Sequence, residues 1–268
     1  GRYPTFINAV GKDGVIYTIT SEHTISTPLY KGAMARAINA TDGTEIWTLS
    51  SYTGEFMANS YAMADGYAVW LNGLDNRIYS VGRGPSQTTV SAPQAAIEQG
   101  HSLVITGSVV DTAAGTKQDE QIARFPAGVP CVADSCMCDW MGYIYQQKPL
   151  PDSFEGVDVT INVVDGNGNF RSIGSAKTDA SGTYSLQWTP DIEGKYTVIA
   201  SFAGTQGYWP SYAETAFAVD PAPAPTEAPT PTPVPITEQY FVPAIAGIIV
   251  AILLVGVVLA LMVLKKRP

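Results

Sequence analysis

The sequence predicts a mainly β chain joined through a proline-rich spacer to a single C-terminal transmembrane helix. Three observations predict it. Up to Asp220, short apolar runs alternate with polar residues at a period of two. Turn signals containing Gly, Asn and Asp separate those runs, and an uncharged apolar stretch closes the chain.

A chain of 268 residues with 25 Gly, 19 Pro and more Tyr than Phe has room for two small β domains and an anchor. Its formal charge is −9, and the one basic cluster lies at the extreme C-terminus. That field repels a phosphate backbone, so nucleic acid is excluded as a partner. The chain begins at Gly1, with no initiator Met and no signal-peptide pattern. Because an exported domain needs such a signal, the expectation is a C-terminal fragment of a longer protein.

The first 84 residues carry a repeat. Asp13–Ile19 (DGVIYTI) and Asp65–Leu71 (DGYAVWL) each set Asp-Gly directly before a strand. Ala35–Trp47 (ARAINATDGTEIW) reads as a strand, a tight turn at Asp42-Gly43 and a second strand ending in Trp47. Asn76–Gly84 (NRIYSVGRG) repeats the middle element without the closing Trp. The two copies lie about 40 to 50 residues apart, the spacing of propeller blades. These residues resemble the pyrroloquinoline-quinone (PQQ) type of β-propeller repeat. The resemblance implies incomplete blades over residues 1–86, with Gly43 as the turn glycine and Trp47 as the blade-docking residue. The first copy departs from the pattern by an insertion around Ser21 to Gly32. A closed propeller needs about four to eight blades, so the resemblance places the others, and any PQQ, in sequence beyond this one. No cofactor is expected within these residues. An independent small β domain is the alternative.

Residues 87–220 read as a β-sandwich. Val159, Ile161 and Val163 alternate with polar neighbours, as do Tyr184, Leu186 and Trp188, and Tyr196, Val198, Ala200 and Phe202. Leu103, Ile105 and Val109 do the same, although Val104 blurs the pattern. With strands near Thr88 and Thr215 the total is about seven. Thr178–Trp188 (TDASGTYSLQW) and Gly194–Gly204 (GKYTVIASFAG) resemble the immunoglobulin-like and carboxypeptidase-regulatory-like modules of archaeal surface proteins. The resemblance implies a fold and no activity.

An insertion over 111–151 separates the second and third sandwich strands, and loops of that length are commonly functional. Phe125, Trp140, Tyr143 and Tyr145 make it too apolar for disorder, so it is expected to form an ordered cap with a short helix near Ser135 to Tyr145. It is the candidate binding region; packing against the neighbouring repeats explains it equally well. Cys131, Cys136 and Cys138 lie within it as C-x4-C-x-C. Outside the cell the expectation is a local disulfide centred on Cys131 or inert thiols, with a Cu(I) or Zn(II) thiolate site as the alternative. No metal site is expected elsewhere. Asp165, Asn167 and Asn169 are spaced like the first ligands of a calcium loop, but Phe170 and Ala176 stand at the positions that need Gly and Glu, so a hairpin turn is predicted. Asn39-Ala40-Thr41 is a candidate glycosylation sequon.

Residues 221–241 form a Pro/Thr-rich stalk, in which proline every second or third position favours polyproline II. Residues 242–264 carry no charge, and at about 1.5 Å per residue they span roughly 34 Å. Tyr240 and Phe241 are expected at one interface, with 265–268, containing Lys265, Lys266 and Arg267, in the cytoplasm. A cleavable sorting signal shares this layout. Gly247 and Ala251, then Gly256 and Ala260, are small pairs on which two such helices pack in a candidate homodimer.

His23 and His101 are the sole histidines, and no nucleophile elbow, Walker loop, HExxH or Rossmann pattern occurs. The expected function is binding, adhesion or envelope architecture at a cell membrane, with the β domains outside and an unidentified protein or glycan ligand. The alternatives are a membrane-anchored PQQ-dependent dehydrogenase, with its active site in blades beyond this sequence, and a sensor or assembly factor.

Overall fold

The computed structural model describes residues 5–20, 33–53, 61–224 and 235–266. They fall into a β unit, Gly1–Ala222, and a C-terminal unit, Pro223–Pro268. His23, Arg267 and the proline-rich residues 225–234 lie outside the described residues.

Seven strands build two antiparallel sheets at the start of the β unit. β1 (Thr5–Val10), β2 (Val15–Thr20), β3 (Met34–Asn39) and β4 (Glu45–Ser50) pair in chain order. β5 (Tyr61–Ala64), β6 (Tyr67–Asn72) and β7 (Arg77–Gly82) do likewise. The repeated Asp-Gly has a backbone reason: Gly14 and Gly66 sit at φ +72° and +81°, a left-handed conformation open to glycine without steric cost. Ile19 and Ala35 from the first sheet bury against Ala68 and Trp70 from the second. Trp70 stacks between Tyr61 and Tyr79, at 5.5 and 6.0 Å between ring centroids. Its Nε1 donates to Ser51 Oγ at 2.6 Å, so this buried indole has its polar atom satisfied. A closed propeller is not formed among the described residues. One four-stranded and one three-stranded open sheet stand there instead.

The sandwich follows, with a hydrophobic core of its own. Its strands are β8 (Ser86–Ser91), β9 (Ile97–Glu98), β10 (Leu103–Asp111), β11 (Val129–Pro130), β12 (Asp158–Val164), β13 (Phe170–Lys177), β14 (Thr183–Trp188), β15 (Gly194–Phe202) and β16 (Ser211–Asp220). β10 lies between β8 and β14 in one sheet, with β11 extending it. The other sheet runs β13-β12-β15-β16-β9, with β9 parallel to β16. β8 and β9 therefore divide the chain's entry between both sheets, and the order is that of an immunoglobulin-like sandwich. Near the start of β15, Tyr196 Oη donates back to Ile192 O at 3.1 Å, the tyrosine corner of that fold. Ile105, Val109, Val159, Ile161, Val163 and Val198 fill the core between the sheets. Val104 is half exposed on the outer face, so the residue that blurs the sequence pattern obeys the alternation after all.

The sheets before the sandwich are fastened to it by Arg83. Its Nε donates to Tyr208 O at 2.8 Å, and its guanidinium lies 4.3 Å over the Trp209 ring. Residues 1–86 thus share one compact unit with the sandwich, and the boundary expected at 86/87 is the start of a strand.

Two short helices, α1 (Asp119–Arg124) and α2 (Met137–Tyr145), lie in the insertion, and α3 (Ile236–Lys265) closes the chain. α3 corrects the expected stalk boundary: Ile236 to Phe241 are helical, not extended. They contain no proline, and Glu238 in the first turn complements the helix dipole. Pro243 lies inside the helix, where its missing N–H removes one bond from the ladder without ending it. α3 has 30 residues and a mean hydropathy of 3.2 over its most apolar window, and none of that window is buried.

Candidate functional site

The insertion runs from the end of β10 at Asp111 to the start of β12 at Asp158, and it folds around a core of its own. Val129, Val132, Cys136, Trp140 and Ile144 are buried there, with Phe125, Tyr143, Tyr145 and Phe154 packed against them. Trp140 meets Phe154 at 5.5 Å and Phe125 at 5.9 Å, both edge-on, the arrangement favoured by ring quadrupoles. The four aromatic residues expected to form a binding region are therefore brought together mostly as a core, and Trp140 is 3% exposed.

Two side chains of α1 close the end of α2. Gln121 Nε2 donates to Ile144 O at 2.9 Å, and Arg124 donates to Ile144 O and Tyr143 O at 3.0 and 3.2 Å. Carbonyls of a last helical turn lack intrahelical partners, and a guanidinium satisfies both their lone pairs and the dipole. Gln121 is fully buried, a polar residue kept there by that hydrogen bond.

The insertion also braces its surroundings. Gln146 Nε2 donates to Ser50 O on β4 at 2.7 Å, and Arg77 on β7 pairs with Glu120 at 3.2 and 3.4 Å. Asp134 accepts from the backbone N–H groups of Gln206 and Gly207, both at 2.9 Å, and so holds the β15–β16 loop. These contacts pack the insertion against the N-terminal sheets and the β15–β16 loop.

A buried polar cluster sits where β10, the insertion and the β15–β16 loop converge. Asp111 is 6% exposed, and its Oδ1 accepts from Ala113 N at 2.7 Å. Burial pushes its carboxyl up to about 6, against the opposing pull of that hydrogen bond. Burial first, then the Asp111 charge, raises the Cys131 thiol and the Tyr145 phenol. Tyr208 is raised by burial and then by Cys131 and Asp111, against a smaller opposing pull from the Val132 backbone. Neither Asp111 nor Tyr208 is marked as a site residue by the sequence. Asp111 ends an apolar run as an ordinary strand-terminal carboxylate would, and no sequence signal reveals its burial.

The three cysteines are free thiols in this structure. Cys131 packs in the sandwich core, Cys136 in the core of the insertion, and Cys138 is exposed on α2. Met137 and Met141 pack against both of those clusters. Among the described residues no group of three or more His, Cys, Asp or Glu lies close enough to hold a metal, so the thiolate site is not assembled.

Asn39 ends β3, with its Oδ1 accepting from Thr41 N at 2.9 Å. Gly43 follows in that turn at φ +75°, and Trp47 on β4 packs against the Ile19–Trp70 cluster. His101 is exposed beside Glu98, at 3.9 Å. In the turn after β12, Asp165 Oδ1 accepts from Asn167 N and Asn169 N at 2.9 and 3.0 Å, an Asx-type hairpin turn.

Two depressions mark the sandwich and insertion. One, of about 640 Å³, is lined by hydroxyls of Thr106, Ser108, Ser175 and Ser185 with Lys177 and Asp179. Its charges are already engaged: Lys177 pairs with Glu155 at 2.9 Å, and Asp179 accepts from Ser181 N and Thr183 N at 2.8 and 3.0 Å. The other, of about 200 Å³, is lined by aromatic residues of the insertion.

Strand order and register thus define an immunoglobulin-like β-sandwich protein that also carries a helix long and apolar enough to cross a membrane. No family matches the sequence, and no curated protein does. Among solved structures, the chain is similar to the fibronectin(III)-like modules of Clostridium thermocellum CbhA at 14% identity and a TM-score of 0.32, covering 85% of this chain and 100% of that one. It is similar to a tetra-tandem repeat in the extending region of a large adhesion protein at 13% identity and a TM-score of 0.31, covering 81% of this chain and 48% of that one. Likeness to Salmonella alpha-2-macroglobulin reaches 14% identity and a TM-score of 0.29 over 79% of this chain, which spans 12% of that one. Scores at this level define neither fold nor function, and the sandwich assignment stands on strand order and register.

Proposed function

We propose that this is a single-pass membrane protein that displays its β unit outside the cell for binding, adhesion or envelope architecture. The observation that supports it is α3: 30 residues, no burial within the fold, and Lys265, Lys266 and Arg267 directly at its end. An unburied helix of that hydropathy finds its solvent in hydrocarbon, because only a helix or a closed barrel satisfies its backbone there. Basic residues flanking a span remain on the cytoplasmic side, which sets the β unit outside. On this reading the two N-terminal sheets are blades of the PQQ-like type. Their chain-order meanders, the shared Asp-Gly turns and Trp47 packed at the contact between the sheets support it. The proline-rich residues from 221 then act as a spacer from the headgroups.

The test is protease treatment of intact cells expressing the chain with an epitope tag after Pro268. The expected outcome is loss of the β unit with a tagged, membrane-held fragment of about the size of α3 surviving. A tag accessible from the medium, or a full chain that stays soluble without detergent, would overturn the proposal.

A further inference from the structure

We propose that the Asn167-Gly168 pair, in the turn between β12 and β13, is a site of spontaneous covalent modification, at which Asn167 loses ammonia and becomes aspartate and isoaspartate. The inference is independent of the membrane anchoring.

Asn-Gly occurs at Asn72-Gly73 and at Asn167-Gly168. The chemistry needs nothing beyond such a pair and water. The Gly nitrogen gives up its proton to hydroxide and attacks the Asn Cγ, closing a five-membered imide. The Cγ–Nδ2 bond breaks, and ammonia leaves with a proton taken from water. Water then opens the imide at either carbonyl, leaving aspartate or isoaspartate. A following Gly favours the attack, because it has no Cβ to crowd the nitrogen and its backbone turns freely.

The fold treats the two pairs in opposite ways. Asn72 is 1% exposed, and both ends of its carboxamide are engaged: Nδ2 donates to Ser50 O at 3.3 Å, and Oδ1 accepts from Tyr52 N and Leu74 N at 3.2 and 3.1 Å. Gly73 N donates to Tyr52 O, and a Cβ at Gly73 would meet the Tyr52 ring at 2.6 Å. Ring closure there requires the β6–β7 turn to part from the segment after β4. Asn167 is exposed, and its carboxamide has no hydrogen-bond partner among the described residues. A Cβ at Gly168 would meet nothing within 4 Å, so there is room for the imide. One bond restrains the nucleophile, from Gly168 N to Asp165 O at 2.9 Å. It lies in an exposed turn, and such bonds open locally at far lower cost than a core. Either product places a new carboxylate two residues from Asp165. Isoaspartate also routes the backbone through Cβ and lengthens the turn that sets the β12–β13 register.

The experiment is incubation of the full chain in detergent at pH 8.5, with and without guanidinium chloride, then peptic digestion in acid and mass spectrometry of the peptides holding each pair. In the folded chain Asn167 is expected to convert at least about tenfold faster than Asn72, and in denaturant the two rates should be alike, because the difference lies in how much structure must open. Two products of equal mass, separable by chromatography, should appear at Asn167. Asn167→Gln, whose longer side chain would have to close a six-membered ring, should lose the change at that position with an unchanged melting midpoint. Conversion at Asn167 no faster than at Asn72 in the folded chain, no conversion at Asn167, or aspartate as the sole product would each overturn the proposal.

Discussion

Asp111 is a buried carboxyl in surroundings that oppose its charge. Burial penalises the charged form and pushes its carboxyl up to about 6, from ~3.9 in an unfolded chain. Between those values the folded state holds the proton more tightly, so stability falls as pH rises through that window and the penalty is complete above it. Asp111→Asn retains an acceptor for Ala113 N and carries no charge. It is expected to raise stability at pH 7.5 by ~2 kcal/mol and to leave it unchanged at pH 4, read as the difference between variant and wild-type urea curves. A variant less stable than wild type at pH 7.5 would mean that the ionised carboxylate has a partner worth more than its desolvation. Arg77 sets the opposite scale. Its pair with Glu120 is about half exposed on both sides, and Arg77→Ala should cost less than ~1 kcal/mol. Trp70→Ala removes a stacked, fully buried ring and should cost ~3–5 kcal/mol by the same measurement.

Among the elements, β10 makes a close backbone approach at Gly107. A Cβ at Gly107 would meet Thr89 O at 2.1 Å and Tyr184 Oη at 2.4 Å, and that hydroxyl donates to the same Thr89 O at 2.6 Å. Gly107→Ala must push β8 away or break the tyrosine bond, and a loss of ~3 kcal/mol is expected in thermal or urea unfolding. The strands themselves are legible from their period of two, since each has one buried and one wet face. α1 is not legible: six residues cannot display a helical period, and its stability comes from the contacts that Gln121 and Arg124 make with α2. The start of α3 departs from the expected boundary for a related reason. Proline composition marks where a chain avoids helix, but six helix-compatible residues beside a long apolar helix extend it at little cost, because nucleation has already occurred.

At the level of the whole molecule, the prediction concerns partition. Leu254→Arg sets a charge near the middle of α3, at a cost of about 2.5–3.5 kcal/mol for membrane insertion. The variant is expected to shift from the membrane fraction to the soluble or degraded fraction, as a carbonate extraction would show. Unchanged membrane retention would point to an anchor other than α3. The long apolar C-terminal helix, the sandwich strands, the insertion and its aromatic content were legible in the sequence alone, because run length, alternation and apolar composition are local quantities that the backbone must honour wherever it folds. Only the tertiary structure decided that Trp140 lies in a core with its N–H unpaired, that Cys131 and Cys136 belong to different cores, and that Asp111 is buried. Each of those depends on which distant segments meet, and desolvation is a property of the neighbours that fold against a residue rather than of its place in the chain.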